Sequence, residues 1–301
     1  MHRALAGAAG GAQRAPAGEG RGTRVPIADS ECTRFLQAAL PLLGLRWAGF
    51  RKVRRLVCKR LGRRLSELGV SDLDAYRRHL EACPGEWETL RGFCLVPVSR
   101  FYRDRGVFEH LEHDVLPALA ESAVARGRAE LSCWSACCAS GEEPYTLSIL
   151  WHLRLRGRFP VLRLRLVATD IDAHLLERAR SGCYSSGSLK ELPPEFLADG
   201  FTARGEHFYV REDFRAIEFL RQDIRSSVPA DEFDLILCRN AVLTYFAPEL
   251  QLEVMERVGK KLRANGALVI GIHETLPGSL HGFVPWHGAP AIHRRLGDPV
   301  S

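Results

Sequence analysis

Asp170 closes the run Leu166-Val167-Ala168-Thr169-Asp170-Ile171-Asp172, which reads as a buried strand ending on an acid. A carboxylate at the tip of a second strand can accept hydrogen bonds from both hydroxyls of a ribose. Asp172 is placed to cap the helix that follows, and an acid at the position of Asp170 is as often a cap as a ligand. Further on, Arg221-Gln222-Asp223-Ile224-Arg225 follows another strand-like run, a place for an adenine contact. Phe233-Asp234-Leu235-Ile236-Leu237-Cys238 reads as a strand that ends on Arg239-Asn240, with Tyr245 just beyond. Polar groups at the C-terminal ends of parallel strands line the ligand crevice in open α/β sheets. No P-loop, zinc motif or nucleophile elbow accompanies them.

These groups need a strand–turn–helix unit ahead of them, and Ser132-Cys133-Trp134-Ser135-Ala136-Cys137-Cys138-Ala139-Ser140-Gly141-Glu142-Glu143-Pro144-Tyr145 supplies it. Glu142 and Glu143 suit the positive end of a helix dipole, and Pro144 fits a first helical turn. The G-x-G-x-x-G fingerprint is absent. A pyrophosphate needs the close backbone approach that those glycines give, whereas a ligand without phosphates, such as S-adenosylmethionine, needs it less.

Around that unit, strands at Ala129–Ser135, Leu162–Ala168, Phe233–Leu237 and Ala267–Ile272 alternate with helices after Glu143, at Ala173–Arg180 and from Pro248 to Leu262. The expected fold class is α/β: a doubly wound, mostly parallel sheet with helices on both faces. Asn265-Gly266 is read as the turn after the last helix. Residues 205–219 break the alternation and read as an inserted antiparallel hairpin turning near Glu212-Asp213.

Upstream, residues 27–93 read as a small all-helical domain. Asp29 or Ser30 caps its first helix, and Ser71 caps a later one that Cys83-Pro84-Gly85 ends. Between them Trp47, Phe50, Val53, Val57, Leu61 and Leu65 recur at helical spacing. The opposite face carries Arg51, Lys52, Arg54, Arg55, Lys59, Arg60, Arg63 and Arg64 with no acid among them. This is either a solvated face or a docking surface for something anionic; the lack of local i,i+4 compensation favours the second.

The composition is that of a soluble globular protein: 301 residues, 46% hydrophobic, 26% charged, formal net charge +6. No apolar run approaches the ~20 residues that cross a bilayer. Residues 1–26 read as a disordered tail without the apolar core of a secretory signal, which points to a cytoplasmic protein. The nine cysteines follow no disulfide or metal-ligand spacing, so buried thiols, no disulfide framework and no metal are expected.

Ser135-Ala136-Cys137-Cys138-Ala139-Ser140-Gly141-Glu142-Glu143-Pro144-Tyr145 is similar to the signature of the CheR-type chemotaxis receptor methyltransferases. The resemblance continues in order through Ser99-Arg100-Phe101-Tyr102-Arg103, Ala168-Thr169-Asp170-Ile171-Asp172, Cys238-Arg239-Asn240 with Tyr245-Phe246, and Gly271-Ile272-His273-Glu274. It covers nearly everything from about residue 27 to the end. It implies a class I S-adenosylmethionine-dependent methyltransferase domain over 94–301, with a small β-subdomain about 201–219, behind a receptor-docking domain over 27–93. It implies S-adenosylmethionine contacts at Ser99, Arg103, Glu143, Asp170, Asp223, Ile224, Arg239 and Asn240, and a substrate carboxylate facing Arg103 and Tyr245. Arg51, Arg54, Arg55 and Lys59 would dock on the acidic cytoplasmic helical bundle of a chemoreceptor.

The chain departs from that family's pattern in places. Pro97 stands where Asn is common, as does Asp223, and one extra residue separates Arg239 from Tyr245. The connection through Gly205 looks short for a subdomain that binds a receptor C-terminal peptide. Methylating a carboxylate needs no general base, because the nucleophile is already ionised at pH 7; the lack of a catalytic histidine is therefore expected, and His273 reads as packed or capping. A nucleic-acid methyltransferase is disfavoured because the aromatics of the basic helix lie on its apolar stripe, where bases cannot stack. A cofactor- or receptor-binding module with little turnover is the other alternative. A monomer without membrane insertion is expected.

Overall fold

The computed structural model describes residues 25–96 and 99–297. All but the last two residues of the expected tail, and Pro97, lie outside the described residues. The helical region comprises α1 (Asp29–Leu42), α2 (Trp47–Phe50), α3 (Arg54–Leu68), α4 (Leu73–Ala82) and α5 (Glu86–Cys94). Phe35, Leu36, Leu40, Phe50, Val57, Leu61, Leu65, Tyr76, Leu80 and Leu90 form its core.

Several local expectations are corrected here. The caps shift: Ala28 precedes α1 without a side-chain bond, so Asp29 is its first helical residue. Asp72, not Ser71, caps α4 by accepting from the Ala75 N–H at 2.8 Å. The apolar stripe from Trp47 to Leu65 is not one helix but two, broken at residues 51–53. The break lets α2 turn onto residues 242–247 while α3 packs on α1 and α5.

The basic face is also less bare than its sequence suggests. Arg54 pairs with Asp29 at 2.7 Å, Arg64 with the buried Glu86 at 2.7 Å, and Arg60 donates to the carbonyls of Phe93 and Leu95. These acids and carbonyls come from other elements, which a search at i,i+4 misses. One disulfide is present, between Cys32 of α1 and Cys58 of α3. Helix packing brings their Cα atoms to 6.0 Å, within bridging range, although no sequence spacing announces the pair.

The sheet region follows, with α6 (Arg105–His110), a π-helical turn over Leu111–Val115, and α7 (Leu116–Ala125) leading in. Next come β1 (Glu130–Ala136), α8 (Glu142–Leu150), β2 (Arg163–Asp170), α9 (Ala173–Ser181), β3 (Cys183–Ser185), α10 (Pro194–Gly200), β4 (Phe201–Arg204), β5 (His207–Val210) and β6 (Ile217–Arg221). The chain continues through β7 (Phe233–Leu237), α11 (Val242–Tyr245), α12 (Pro248–Gly259), β8 (Leu262–Val269), β9 (Phe283–Trp286) and β10 (Ala289–Arg295).

The main sheet has the order β6-β2-β1-β7-β8-β10-β9. Its pairs are parallel from β6 to β8 and antiparallel beyond. Alternation along β1 builds two apolar layers: Leu131 and Cys133 face one, Trp134 and Ala136 the other. Each fully buried Leu, Val or Phe in such layers contributes roughly 1.5–3 kcal/mol. The sheet order reverses between β1 and β7, and a crevice opens there at the strands' C-terminal ends, as doubly wound sheets require.

The inserted subdomain differs from the expected hairpin. Its turn is Gly205-Glu206, joining β4 to β5, and β3 completes a separate sheet of order β3-β5-β4. Ile217–Arg221 belongs instead to the main sheet, parallel to β2. Asn265-Gly266 is not the turn before a strand but a bulge inside β8. Phe233 pairs with Leu262 and Leu235 with Ala267, with Asn265 in the left-handed region at φ 63°.

Candidate active site

A cavity of about 250 Å³ lies at the crevice between the C-terminal strand ends and α5. Ser99, Arg103, Glu143, Asp170, Asp223, Ile224, Arg239, Asn240 and Tyr245 all line it. The structure thus brings together every candidate cofactor and catalytic residue. The docking candidates Arg51, Arg54, Arg55 and Lys59 lie elsewhere, on α3 and the turn before it.

The turn after β1 is held by Asp170. Its Oδ2 accepts from the Ala139 N–H at 2.8 Å and its Oδ1 from the Asp172 N–H at 2.9 Å. Asp172 caps α9 through the N–H groups of His174 and Leu175, whereas Asp170 lines the cavity. Burial pushes Asp170 above its usual carboxyl value. Gly141 (φ 87°) does not approach the ligand space: a Cβ there would meet the Ala179 Cβ at 2.8 Å, so it is a packing glycine. Cys137 and Cys138 line the cavity instead, with both thiols pushed up by burial.

Arg239 is the centre of the next group. Its side chain is only 3% exposed and pairs with Asp104 at 2.7 Å and Glu143 at 3.1 Å. It also donates to the Arg103 carbonyl at 2.8 Å and lies over the Phe108 ring. Glu143 in turn accepts from the Ser135 hydroxyl at 2.7 Å. Glu142, by contrast, is buried against Ser140 and keeps its structural reading.

Asn240, at φ 54°, begins the segment that leads to Tyr245. Glu274 holds this segment: its Oε2 accepts from the Gly271 N–H at 2.7 Å and the Asn240 N–H at 3.0 Å, and its Oε1 from the Thr244 hydroxyl. On the other side α2 grips α11. Arg46 donates to the Leu243 and Thr244 carbonyls, and the Phe50 ring lies 5.0 Å from the Tyr245 ring. Burial raises the Tyr245 phenol above its ordinary value, with Arg103 opposing the shift, so Tyr245 stays a hydrogen-bond donor near neutral pH.

At the far end Asp223 forms a bidentate pair with Arg225, the closest contact being 2.6 Å. Burial alone would raise Asp223, but the Arg225 guanidinium outweighs it and holds the acid below its usual value. Glu88, Arg91, Gly92 and Leu95 of the α5 segment form the opposite wall. Tyr102, Asp104, Cys137, Ala139 and Asn240 carry a left-handed φ, and all lie in the segments walling this cavity, where functional sites concentrate backbone strain.

Sequence reasoning missed Glu274, Asp104 and the α5 wall. Glu274 is the last residue of the Gly271-Ile272-His273-Glu274 run, next to the expected packed or capping His273. His273 is exposed, neither packed nor lining the cavity. The α5 wall has no local signal, because it is brought in by tertiary docking.

Residues 97–288 match the family model "CheR methyltransferase, SAM binding domain". The chain belongs to the CheR methyltransferase family. It is 33% identical over 263 residues to a chemotaxis protein methyltransferase of Escherichia coli, covering 83% of this chain and 86% of that one. It is 35% identical over 182 residues to one of Listeria innocua, covering 60% and 66%. An uncharacterized 104.1 kDa protein of Rhodobacter capsulatus is 35% identical over 224 residues, 73% of this chain and 23% of that one. The chain therefore spans about a quarter of that relative and two thirds of the Listeria protein.

The matched region is by that description a SAM-binding domain, and S-adenosylmethionine is the family's cofactor. The residues present fit it. The Asp170 carboxylate has more lone pairs than the backbone N–H groups it accepts, which leaves it able to take a ribose hydroxyl, and the buried Gln222 Oε1 beside it has no partner of its own among the described residues. Glycine-free backbone at Cys137–Ala139 suits a cofactor without a pyrophosphate.

Asp170→Ala is expected to weaken S-adenosylhomocysteine binding by about 1–3 kcal/mol, read by calorimetry; unchanged affinity would put the ribose elsewhere. Because Asp170 titrates above its ordinary 3.8, the folded state holds its proton more tightly. Its contribution to stability is present at low pH and is lost as pH rises from that ordinary value through the raised one. Binding runs the other way. Affinity should fall on acidification from a higher pH than an unshifted aspartate would give, and the Asp170→Asn variant should flatten that dependence.

Proposed function

We propose that this protein methylates glutamate side chains on the cytoplasmic helical bundle of chemoreceptors, using S-adenosylmethionine. The observation that carries the reading is that Arg103 and Tyr245, the two groups suited to orienting a carboxylate, line one cavity with Asp170 and Glu143. Bound S-adenosylmethionine supplies an electrophilic sulfonium methyl. Asp170 would hold its ribose, Asp223 and Ile224 would flank its adenine, and Ser99, Glu143, Arg239 and Asn240 would bound its remaining polar groups. Arg103 and Tyr245 fix the direction of a substrate carboxylate that is ionised without help from a base. Rate then comes chiefly from positioning in a space walled on one side by α5. The decisive test is a tritiated methyl-transfer assay with receptor fragments from the same cell, scored for base-labile label. Transfer to other acceptors only would sink the reading.

Residues 27–93 are proposed as the docking domain, 94–301 as the methyltransferase domain, and the protein as a monomer. Arg51, Lys52, Arg55, Lys59 and Arg63 are exposed. Their side chains make no hydrogen bond or ion pair among the described residues, so they are free to meet an acidic helix. Arg54, tied to Asp29, is a weaker member of the set. The Arg55→Glu/Lys59→Glu double variant is expected to weaken receptor-fragment binding roughly tenfold at low salt and less as salt rises. Cofactor affinity should stay unchanged. The two-residue Gly205-Glu206 turn supports docking without a receptor C-terminal peptide.

A further inference from the structure

We propose that Glu274 is a positioning residue of this site, a single carboxylate that locks the Asn240 strand end and the Tyr245-bearing turn α11 into one arrangement; the inference rests on the functional reading above.

The carboxylate is shared between three donors from two separate segments. Its Oε2 takes the Gly271 N–H at 2.7 Å and the Asn240 N–H at 3.0 Å, and its Oε1 takes the Thr244 hydroxyl. Gly271 makes the approach possible, because a Cβ there would meet the Asn240 Oδ1 at 2.7 Å and the Glu274 Oε2 at 2.8 Å. Asn240 is held at φ 54°, a left-handed conformation that Asn adopts more readily than most residues with a side chain, and the bond to its N–H helps to hold it there. Thr244 adjoins Tyr245, and its carbonyl is already gripped by Arg46 from the helical region. The Arg46 N–H also donates to the Tyr245 carbonyl at 2.8 Å and Gln251 to the Leu243 carbonyl at 3.1 Å, so these anchors hold α11 through its backbone, whereas Glu274 holds it through a side chain, the Thr244 hydroxyl. Together they set where the Tyr245 ring, packed on Phe50, is presented to the cavity. Glu274 itself does not line the cavity, so it acts through Asn240 and Tyr245.

The test uses the full chain with Glu274→Ala, Thr244→Val and the double variant. Turnover in methyl transfer is expected to fall roughly tenfold or more in each single variant, with receptor KM little changed. The double variant should be no worse than Glu274→Ala, because the two act as a unit. A readout independent of turnover accompanies it: fluorine NMR of protein carrying 3-fluorotyrosine, with the Tyr245 signal identified by Tyr245→Phe. One Tyr245 signal is expected in the parent, and a broadened or split one in both variants, with the other five tyrosines unmoved. An unchanged Tyr245 signal, or losses that add in the double variant, would overturn the proposal. If Glu274→Ala does not fold, Thr244→Val carries the same readings. If the parent transfers no methyl group to receptors, the functional reading fails, and the NMR signals still decide the role of Glu274.

Discussion

Replacing Arg239 by alanine is expected to destabilise the protein by about 3–5 kcal/mol, the usual consequence of removing one partner from a buried charge network. The guanidinium is 3% exposed and holds Asp104 and Glu143, which are themselves only 18% and 15% exposed. Without it, two carboxylates are left facing each other across a space that water reaches poorly. The loss should appear as a lower denaturant midpoint at unchanged m-value. Arg239→Lys should recover only part of it, because one ammonium cannot span Asp104, Glu143 and the Arg103 carbonyl together. A midpoint within experimental error of the parent would mean that the network is not closed in solution.

Arg103→Ala is expected to remove methyl transfer, by about a hundredfold or more, while leaving the fold intact. Arg239 uses its donors to hold the Arg103 backbone and the flanking acids, whereas Arg103 lines the cavity beside Tyr245. The measurement is single-turnover methyl transfer alongside thermal melting. Near-normal turnover in a folded variant would remove Arg103 from the proposed role.

The parts of this site legible in the sequence were those whose chemistry depends on position along a strand. Asp170, Arg239 and Asn240 end strands whose apolar runs are unmistakable, and the sheet converts adjacency in sequence into adjacency at one edge. Local pattern misled where long-range packing decides. The stripe from Trp47 to Leu65 has the periodicity of one helix, yet it breaks so that α2 can reach α11. Ile217–Arg221 reads as half of a hairpin, but its partner is β2, about fifty residues earlier. The Cys32–Cys58 link and the acids answering the basic face are likewise products of helix docking. Glu274 was visible as a letter in a motif, and only its three donors reveal what it does.

The junction of α2 with α11 bears on what counts as a module in this protein. The family model begins at residue 97, but Gly49 lies so close to the Thr244 carbonyl that a Cβ would stand 2.3 Å from it. Leu45 bridges Phe246, and Tyr245 and Phe246 pack into the core of the helical region. A cut at the family boundary would therefore strip the α5 wall from the cavity and expose the Tyr245 ring. The helical region and the SAM-binding region share part of their interior, so the two are one packing unit rather than separable modules.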